Sequence, residues 1–394
     1  MEGFTMRSSK LPAIGTTIFT KMSALAQQHG ALNMSQGFPD FDPPSALQSE
    51  VSNAMAHGHN QYAPMAGNVQ LRHWVHDDVL SRTGASFDAE QEITIGAGAS
   101  SLIFAAIQAL IHPGDCVMVL TPCYDLYEPA VKLAGGELIA VPLNEKDHHL
   151  NLPAIKAAWN DRIRMLIVNV PNNPTGSTWT RNELRDLGEF IQDSDAWILS
   201  DEVYHPMCYD SVGPLSVAHE PKLRDRCIIA ASFGKILHCT GWKIGYACAQ
   251  SEIMREIRKV HQYDVFSTGA PFQEGIASFL CSENGRQHMA QLSMFYREKR
   301  DRLLQGLAGS RWEFSPAEGG YFQILNYQSF SDLSDMDATE TWCKKPNGIA
   351  LIPLKPFYPS GTAPKNLSSV RVCFAKENDT LDQGIERLLK ISNP

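Results

Sequence analysis

The sequence contains no run of about 20 apolar residues, so no transmembrane helix is expected. The opening stretch MEGFTMRSSK lacks the apolar core of a signal peptide. No Lys/Arg block is present and the net charge is −9, which argues against a nucleic-acid interface, since that requires a basic patch. No pair among the nine cysteines has C-x-x-C spacing, their number is odd, and most sit in apolar runs. They read as buried free thiols, with no disulfide framework and no metal site, and place the protein in a reducing compartment, the cytoplasm. No internal repeat, low-complexity segment or linker-like stretch occurs, which excludes solenoids and extended disorder.

What remains is an ordinary globular composition, 43% apolar and 20% charged, over 394 residues. That length predicts two domains, or one large α/β domain with a satellite. Short apolar runs alternate with amphipathic stretches through the middle of the chain. Strands are predicted at Ile93–Ile95, Cys116–Leu120, Glu137–Val141, Met165–Val170, Trp197–Leu199, Cys227–Ala231 and Tyr246–Ala249. A helix is predicted over Ser100–Ile111, and Thr180 with Glu183 forms a capping box for another reaching about Gln192. Strands this apolar, alternating with helices, predict an α/β fold with a mostly parallel sheet covered on both faces. Beyond Ile253 two helical stretches are expected, the second over Gly285–Leu307. Strands of a smaller sheet are expected at Tyr321–Leu325 and Val370–Phe374, and a second capping box, Thr180-like, at Thr380 and Gln383. The expected division is an N-terminal arm (1–45), a large domain (46–290) and a small α+β domain (291–394) completed by the N-terminal segment.

The residues with chemical potential cluster where predicted strands end, the edge at which open α/β sheets bind ligands. Lys235 follows an apolar strand, and reads either as a solvated loop lysine or as a desolvated lysine that forms a Schiff base with an aldehyde. Asp201 reads as a turn aspartate or as the partner of a cofactor's ring nitrogen, with Tyr204 three residues on. Asn173 lies in Pro-Asn-Asn-Pro-Thr-Gly, a turn-forming sequence whose amide can also donate to a ligand. Gly96-Ala-Gly-Ala-Ser-Ser101 joins a strand to a helix, whose first N–H groups suit a phosphate, with Ser232 and Lys243 as further donors. Arg371 alternates with Val370 and Val372, and reads as an exposed edge-strand arginine or a bidentate clamp for a carboxylate. Ile18 and Phe19 read as core residues or as walls of a pocket for a thioether or aromatic side chain.

Together these segments resemble the class I/II, fold-type-I aminotransferases that use pyridoxal 5′-phosphate (PLP). The resemblance rests on Ser232-Phe-Gly-Lys235, Thr240-Gly-Trp-Lys-Ile-Gly-Tyr246, Asn172-Asn-Pro-Thr-Gly176 and Ser200-Asp-Glu-Val-Tyr204, and spans about Ile14 to Leu389. Within that family the likeness is strongest to the methionine-specific bacterial branch, through segments such as Ser35-Gln-Gly-Phe-Pro-Asp-Phe41 and Asn60-Gln-Tyr-Ala-Pro-Met65. The kynurenine and glutamine transaminase K branch is similar but more distant. The resemblance implies the roles residue by residue. Lys235 bonds covalently to the cofactor, Asp201 pairs with its ring nitrogen, and Tyr204 and Asn173 reach the ring oxygen. Tyr124 stacks on the ring. The Ala99 and Ser100 amides hold the phosphate with Ser232 and Lys243, and Tyr62 reaches the phosphate of a neighbouring subunit, implying a homodimer. Gly37 and Arg371 bind the substrate carboxylate. The implied reaction is ping-pong transfer of the amino group of methionine, glutamine or an aromatic amino acid to a 2-oxo acid.

Two features depart from the family pattern. Thr16 stands where kynurenine-type enzymes carry a pocket tryptophan, which weakens a kynurenine-specialist reading. The segment after Lys235 reads Ile-Leu-His-Cys where Thr-Phe or Thr-Tyr is frequent, and this bears on the pocket near the lysine. The same residues also support β-elimination from cysteine conjugates. A PLP-sensing regulator would need a DNA-binding domain, and the stretch ahead of the core is too short for one. An NAD-dependent dehydrogenase would draw on Gly96–Ser101, which lacks the third glycine of its fingerprint and leaves Lys235, Asp201 and Asn173 without a role.

Overall fold

A computed structural model describes residues 8–210, 213 and 215–393, so the first seven residues of the expected N-terminal arm and the last residue lie outside the described residues. The strands are β1 (Leu32–Asn33), β2 (Ile93–Gly96), β3 (Cys116–Thr121), β4 (Glu137–Pro142), β5 (Ile163–Asn169), β6 (Trp197–Asp201), β7 (Cys227–Ser232), β8 (Gly245–Ala249), β9 (Phe322–Asn326), β10 (Ile349–Ala350), β11 (Ile352–Pro353) and β12 (Ser369–Cys373). Seven of them form one sheet in the order β2-β8-β7-β6-β5-β3-β4. Strand β8 runs antiparallel to both its neighbours, and all other pairs are parallel. The mostly parallel sheet expected from the apolar runs is therefore present.

Strand β3 shows why such runs give a doubly covered sheet. Cys116, Met118 and Leu120 join the core on one face, while Val117 and Val119 join the core on the other. Each buried side chain of this size contributes about 1.5–3 kcal/mol, and the alternation delivers that gain to both layers. A second, antiparallel sheet has the order β11-β12-β9, and β1 pairs in parallel with β10, tying the N-terminal segment to the C-terminal part. Among the described residues no helix is long and apolar enough to cross a membrane.

Element ends shift by a residue or two from the sequence expectation throughout, and three differences have a visible cause. The helix after β2 begins at Gly98, two residues early, because Gly98 takes a left-handed φ of 75° that turns the chain directly from the strand. The region beyond Ile253 holds three helices, Ser251–Asp264, Ala270–Cys281 and Glu283–Leu307, not two. Phe266 is left-handed, Pro271 opens the middle helix, and the Ser282 hydroxyl caps the last by accepting from the Gly285 N–H at 3.1 Å. The box at Thr380 does not form. The last helix starts at Asn378, because Asp40 accepts the Glu377 N–H at 2.6 Å and fixes the entry, leaving Thr380 inside the first turn. The box at Thr180 is formed, with both reciprocal bonds to Glu183.

Candidate active site

Five parallel strands bring their C-terminal ends to one edge. From there the chain leaves β3 toward β4 on one side and β5 toward β6 and β7 on the other, which opens a crevice. Asn169 ends β5, Asp201 ends β6 and Ser232 ends β7, and Asn169 and Asp201 are cross-strand partners. A cavity of about 330 Å³ lies there, within the range of small-molecule sites. It is lined by Gly37, Ala99, Ser100, Tyr124, Asn173, Asp201, Tyr204, Ser232, Lys235, Lys243 and Arg371, all singled out from the sequence. Tyr62 is not brought into it. That side chain is 83% exposed and packs edge-on against Phe266.

Lys235 sits on a one-turn helix, Phe233–Ile236, that directly follows β7. Its Nζ donates to the Gly37 carbonyl at 3.0 Å and lies within 6 Å of the Tyr204 and Tyr321 ring centroids, at 5.8 and 5.6 Å. It is no solvated loop lysine. Burial lowers its pKa to about 8, because the ammonium has lost its water, and this makes the neutral, nucleophilic amine accessible near neutral pH.

Asp201 is 4% exposed, and burial raises its pKa to about 6 against the opposing pull of its donors. Those donors are the Tyr127 hydroxyl, 2.7 Å from Oδ2, and the Val203 N–H, 3.3 Å from Oδ1. The Asn169 side-chain amide donates to the Asp201 carbonyl at 2.8 Å, while its oxygen accepts the Asn173 N–H at 2.7 Å. Tyr127 and Asn169 were missed from the sequence. Asn169 opens the Asn-Val-Pro-Asn-Asn segment and Tyr127 follows Tyr124 by three residues, but neither spacing identifies Asp201 as the partner.

The reading of Arg371 as an exposed edge arginine is overturned, since β12 is the central strand of its sheet and Arg371 is 1% exposed. Nη1 donates to Asn173 Oδ1 at 2.7 Å and Nη2 to the Ser35 carbonyl at 2.8 Å, while Nε is buried with no partner among the described residues. The guanidinium lies 3.8 Å from the Phe322 ring centroid, and burial lowers its pKa to about 10. Gly37 lies beside it. A Cβ there would come within 2.8 Å of Phe322 Cζ, so only glycine lets this segment approach, and its carbonyl also accepts the Tyr321 hydroxyl at 2.7 Å.

At the other end of the cavity the helix Gly98–Leu110 presents its N-terminus without any side-chain cap. A Cβ on Gly98 would lie 3.3 Å from Lys243 Nζ, so the ammonium packs against the helix start, and Lys243 itself holds a left-handed φ of 54°. Free N–H groups, a helix dipole and a cation converge there with the Ser232 hydroxyl, which makes no capping bond. Such a donor set suits a phosphate group. The donor set therefore fits PLP, with phosphate donors, a desolvated lysine for an aldehyde and a buried carboxylate for a ring nitrogen.

Phe19 lines the same cavity, whereas Ile18 is core. The unusual His238 turns away from it. Its ring lies 5.5 Å from Phe295 in a stacked arrangement and 4.9 Å edge-on from Phe41, and burial lowers its pKa to about 3. The Ile-Leu-His-Cys departure thus changes the packing behind the lysine turn and not the cavity wall.

Comparison with known proteins settles the family. The model of class I and II aminotransferases matches residues 30–388. The chain belongs to the class I and II aminotransferase family. This aminotransferase is 42% identical to the methionine aminotransferase of Escherichia coli, over 97% of this chain and 98% of the relative. It is 35% identical to a probable N-succinyldiaminopimelate aminotransferase of Mycobacterium tuberculosis, over 97% and 98%. Human kynurenine–oxoglutarate transaminase 3 is more distant, at 29% over 96% and 89%. A solved Escherichia coli structure, identified as a methionine aminotransferase, superposes with a TM-score of 0.93 at 41% identity, covering 98% of this chain and 100% of its own. The fold is accordingly that of the fold-type-I aminotransferases.

Proposed function

We propose that this aminotransferase works through PLP held on Lys235, and that it takes methionine as amino donor, with glutamine and aromatic amino acids as further donors and a 2-oxo acid as acceptor. The observation that carries the reading is the convergence of three ionisable groups from distant segments, the buried Asp201 and Arg371 and the partly buried Lys235, on one cavity. Its 42% identity to a methionine aminotransferase supports the choice of donor. So does the wall of the cavity. Phe19, Phe38, Ile103 and Phe322 are apolar, and its cations among the described residues are Lys235, Lys243 and Arg371 alone. With those three assigned to cofactor and α-carboxylate, a second carboxylate on the substrate meets no cation, whereas a thioether or ring meets matching surface.

In this reading Ala99, Ser100, Ser232 and Lys243 hold the phosphate, Tyr124 covers the ring face, and Asn173 and Tyr204 donate to the ring oxygen. Asp201 holds a proton on the ring nitrogen. Arg371 and Gly37 orient the α-carboxylate, for which the guanidinium has Nε and further N–H donors left. The bound cofactor supplies an electron sink for the charge left on the substrate Cα. Lys235 Nζ, once released as a neutral amine, takes the Cα proton and returns it, a step that contributes roughly 10²–10⁴ in rate. Donor and acceptor use the same cavity in turn. Tyr62 and Phe266 form an exposed aromatic pair, 83% and 44% exposed. We assign it to the interface of a homodimer in which Tyr62 reaches the phosphate of the second copy. Nine unpaired cysteines, eight of them buried, agree with a cytoplasmic location.

The test is a visible absorption spectrum of the purified protein before and after methionine is added. A yellow band that bleaches with methionine and returns with a 2-oxo acid is the expected result. A band that persists removes methionine from the reading. Absence of a band after PLP is supplied removes the cofactor. Release of pyruvate and ammonia from a cysteine conjugate, faster than transamination, replaces the reaction by β-elimination.

A further inference from the structure

We infer that Tyr127 is a positioning residue for Asp201, which fixes the plane of its carboxylate and keeps it ionised so that it can pair with a protonated ring nitrogen. The inference rests on the PLP reading of the site. Tyr127 opens the helix Tyr127–Leu133 and does not line the cavity. Its ring is buried among Cys123, Ala130 and Val131 on one face of the large sheet, and its hydroxyl reaches Asp201 Oδ2 at 2.7 Å.

Only one direction of proton donation is available in that bond. An ionised carboxylate can only accept, and burial pushes the Tyr127 phenol well above its ordinary range, so the phenol keeps its proton and donates. Asp201 is pulled both ways, since burial favours the neutral acid while the Tyr127 and Val203 donors favour the anion. The other ionisable groups facing it are Lys235, which favours the anion, and Glu202, Tyr124 and Tyr204. Glu202 is itself held by Arg82 at 3.2 Å and by the Ser200 and Ser216 hydroxyls, at 3.0 and 2.7 Å, and so is offset by its own cation.

The backbone and the carboxylate have separate supports. Asn169 holds the Asp201 carbonyl, and Tyr127 holds the side chain. Removing the hydroxyl alone therefore leaves the strand end in place and acts on the carboxylate. The same segment serves both sides of the site. Tyr124 faces the cavity, and Tyr127, three residues on, backs it, their rings meeting edge-on at 6.0 Å. Tyr127 thus acts on the cofactor's ring nitrogen through Asp201, without touching cofactor or substrate.

The test measures PLP affinity of the cofactor-free protein between pH 6 and 8.5 by absorbance titration. Four proteins are compared, namely wild type, Tyr127→Phe, Asp201→Asn and the double variant. Phenylalanine keeps the buried ring, and a thermal melt checks that each variant is folded. Tyr127→Phe is expected to weaken binding about tenfold or more at pH 7, since a hydrogen bond to a charged group is lost. The loss grows as pH falls, because the carboxyl then takes up its proton at higher pH than in wild type. In the Asp201→Asn background the same change is expected to cost almost nothing. An equal loss in both backgrounds, or a loss independent of pH, would make Tyr127 a packing residue and overturn the inference. No PLP binding by wild type overturns the cofactor reading and this inference together, whereas tight wild-type binding with equal losses overturns this inference alone.

Discussion

Substituting Arg371 by lysine keeps the charge and removes the fork. The guanidinium is 1% exposed, is braced by Asn173 Oδ1 and the Ser35 carbonyl, and stacks on Phe322. A carboxylate bound by two parallel N–H groups falls to a single contact in Arg371→Lys. A hydrogen bond to a charged group is worth about 1.5–3 kcal/mol, which corresponds to roughly 10- to 150-fold in kcat/KM. The two braces act in the same direction, because Asn173 and Ser35 each lose a buried donor. The assay compares methionine with 3-(methylthio)propylamine, which keeps the amine and thioether but lacks the carboxylate. The expected result is a fall of this size for methionine and little change for the amine, so that the preference between them collapses. A folded variant in which both compounds fall equally would refute the assignment. So would one in which methionine is unaffected.

Lys235→Ala is expected to abolish both turnover and the visible band, and normal turnover by that variant would sink the site. The rate at which the cofactor-free protein takes up PLP is expected to rise as pH increases through about 8, where Lys235 loses its proton, and a stopped-flow series that is flat across that range would contradict it. Asp201→Asn is expected to inactivate the enzyme yet stabilise the cofactor-free protein. A carboxyl moved from 3.8 to about 6 on folding disfavours the folded anion by roughly 3 kcal/mol at pH 8. Because the folded pKa is raised, that cost develops as pH rises from 3.8 through about 6, so urea melts should show a larger gain at pH 8 than at pH 5, and the reverse order would refute it. Gly37→Ala places a Cβ 2.8 Å from Phe322 Cζ and displaces the carbonyl that holds Lys235. KM and kcat are expected to change together, and unchanged kinetics would show that the segment tolerates the shift.

The sheet was legible because its signal is local. Each central strand needs apolar residues on two faces, and runs such as Cys116–Leu120 satisfy that requirement without reference to the rest of the chain. The boundaries that differed were set from a distance. Asp40 fixes the start of a helix 337 residues later by accepting the Glu377 N–H, and no capping pattern around Thr380 records that bond. The sequence leaves Arg371 open between an exposed edge-strand arginine and a carboxylate clamp for a similar reason. Strand β11, two residues long, makes β12 a central strand yet leaves almost no periodic signal of its own, and the rings over the guanidinium, Phe19, Phe322 and Phe357, come from distant segments.

The site was legible to a different depth on its two sides. Residues that face the cavity carry unusual types at strand ends, a lysine after an apolar run or an aspartate closing one, and these stand out against a hydrophobic background. Residues that support them from behind look like core. Tyr127 is buried as deeply as any apolar neighbour, and its polar contact spans 74 residues. Burial is also what shifts the titration of the facing residues. The loss of water that moves Lys235 down to about 8 is the same effect that moves Asp201 up to about 6. Each charged form therefore needs a partner in the protein, and the partners lie in segments far apart in sequence. Gly37 serves Lys235 and Tyr321, and Ser35, two residues before it, serves Arg371. One short stretch of the N-terminal segment thus contacts both the Lys235 amine and the Arg371 guanidinium, so a displacement of that stretch acts on both groups at once.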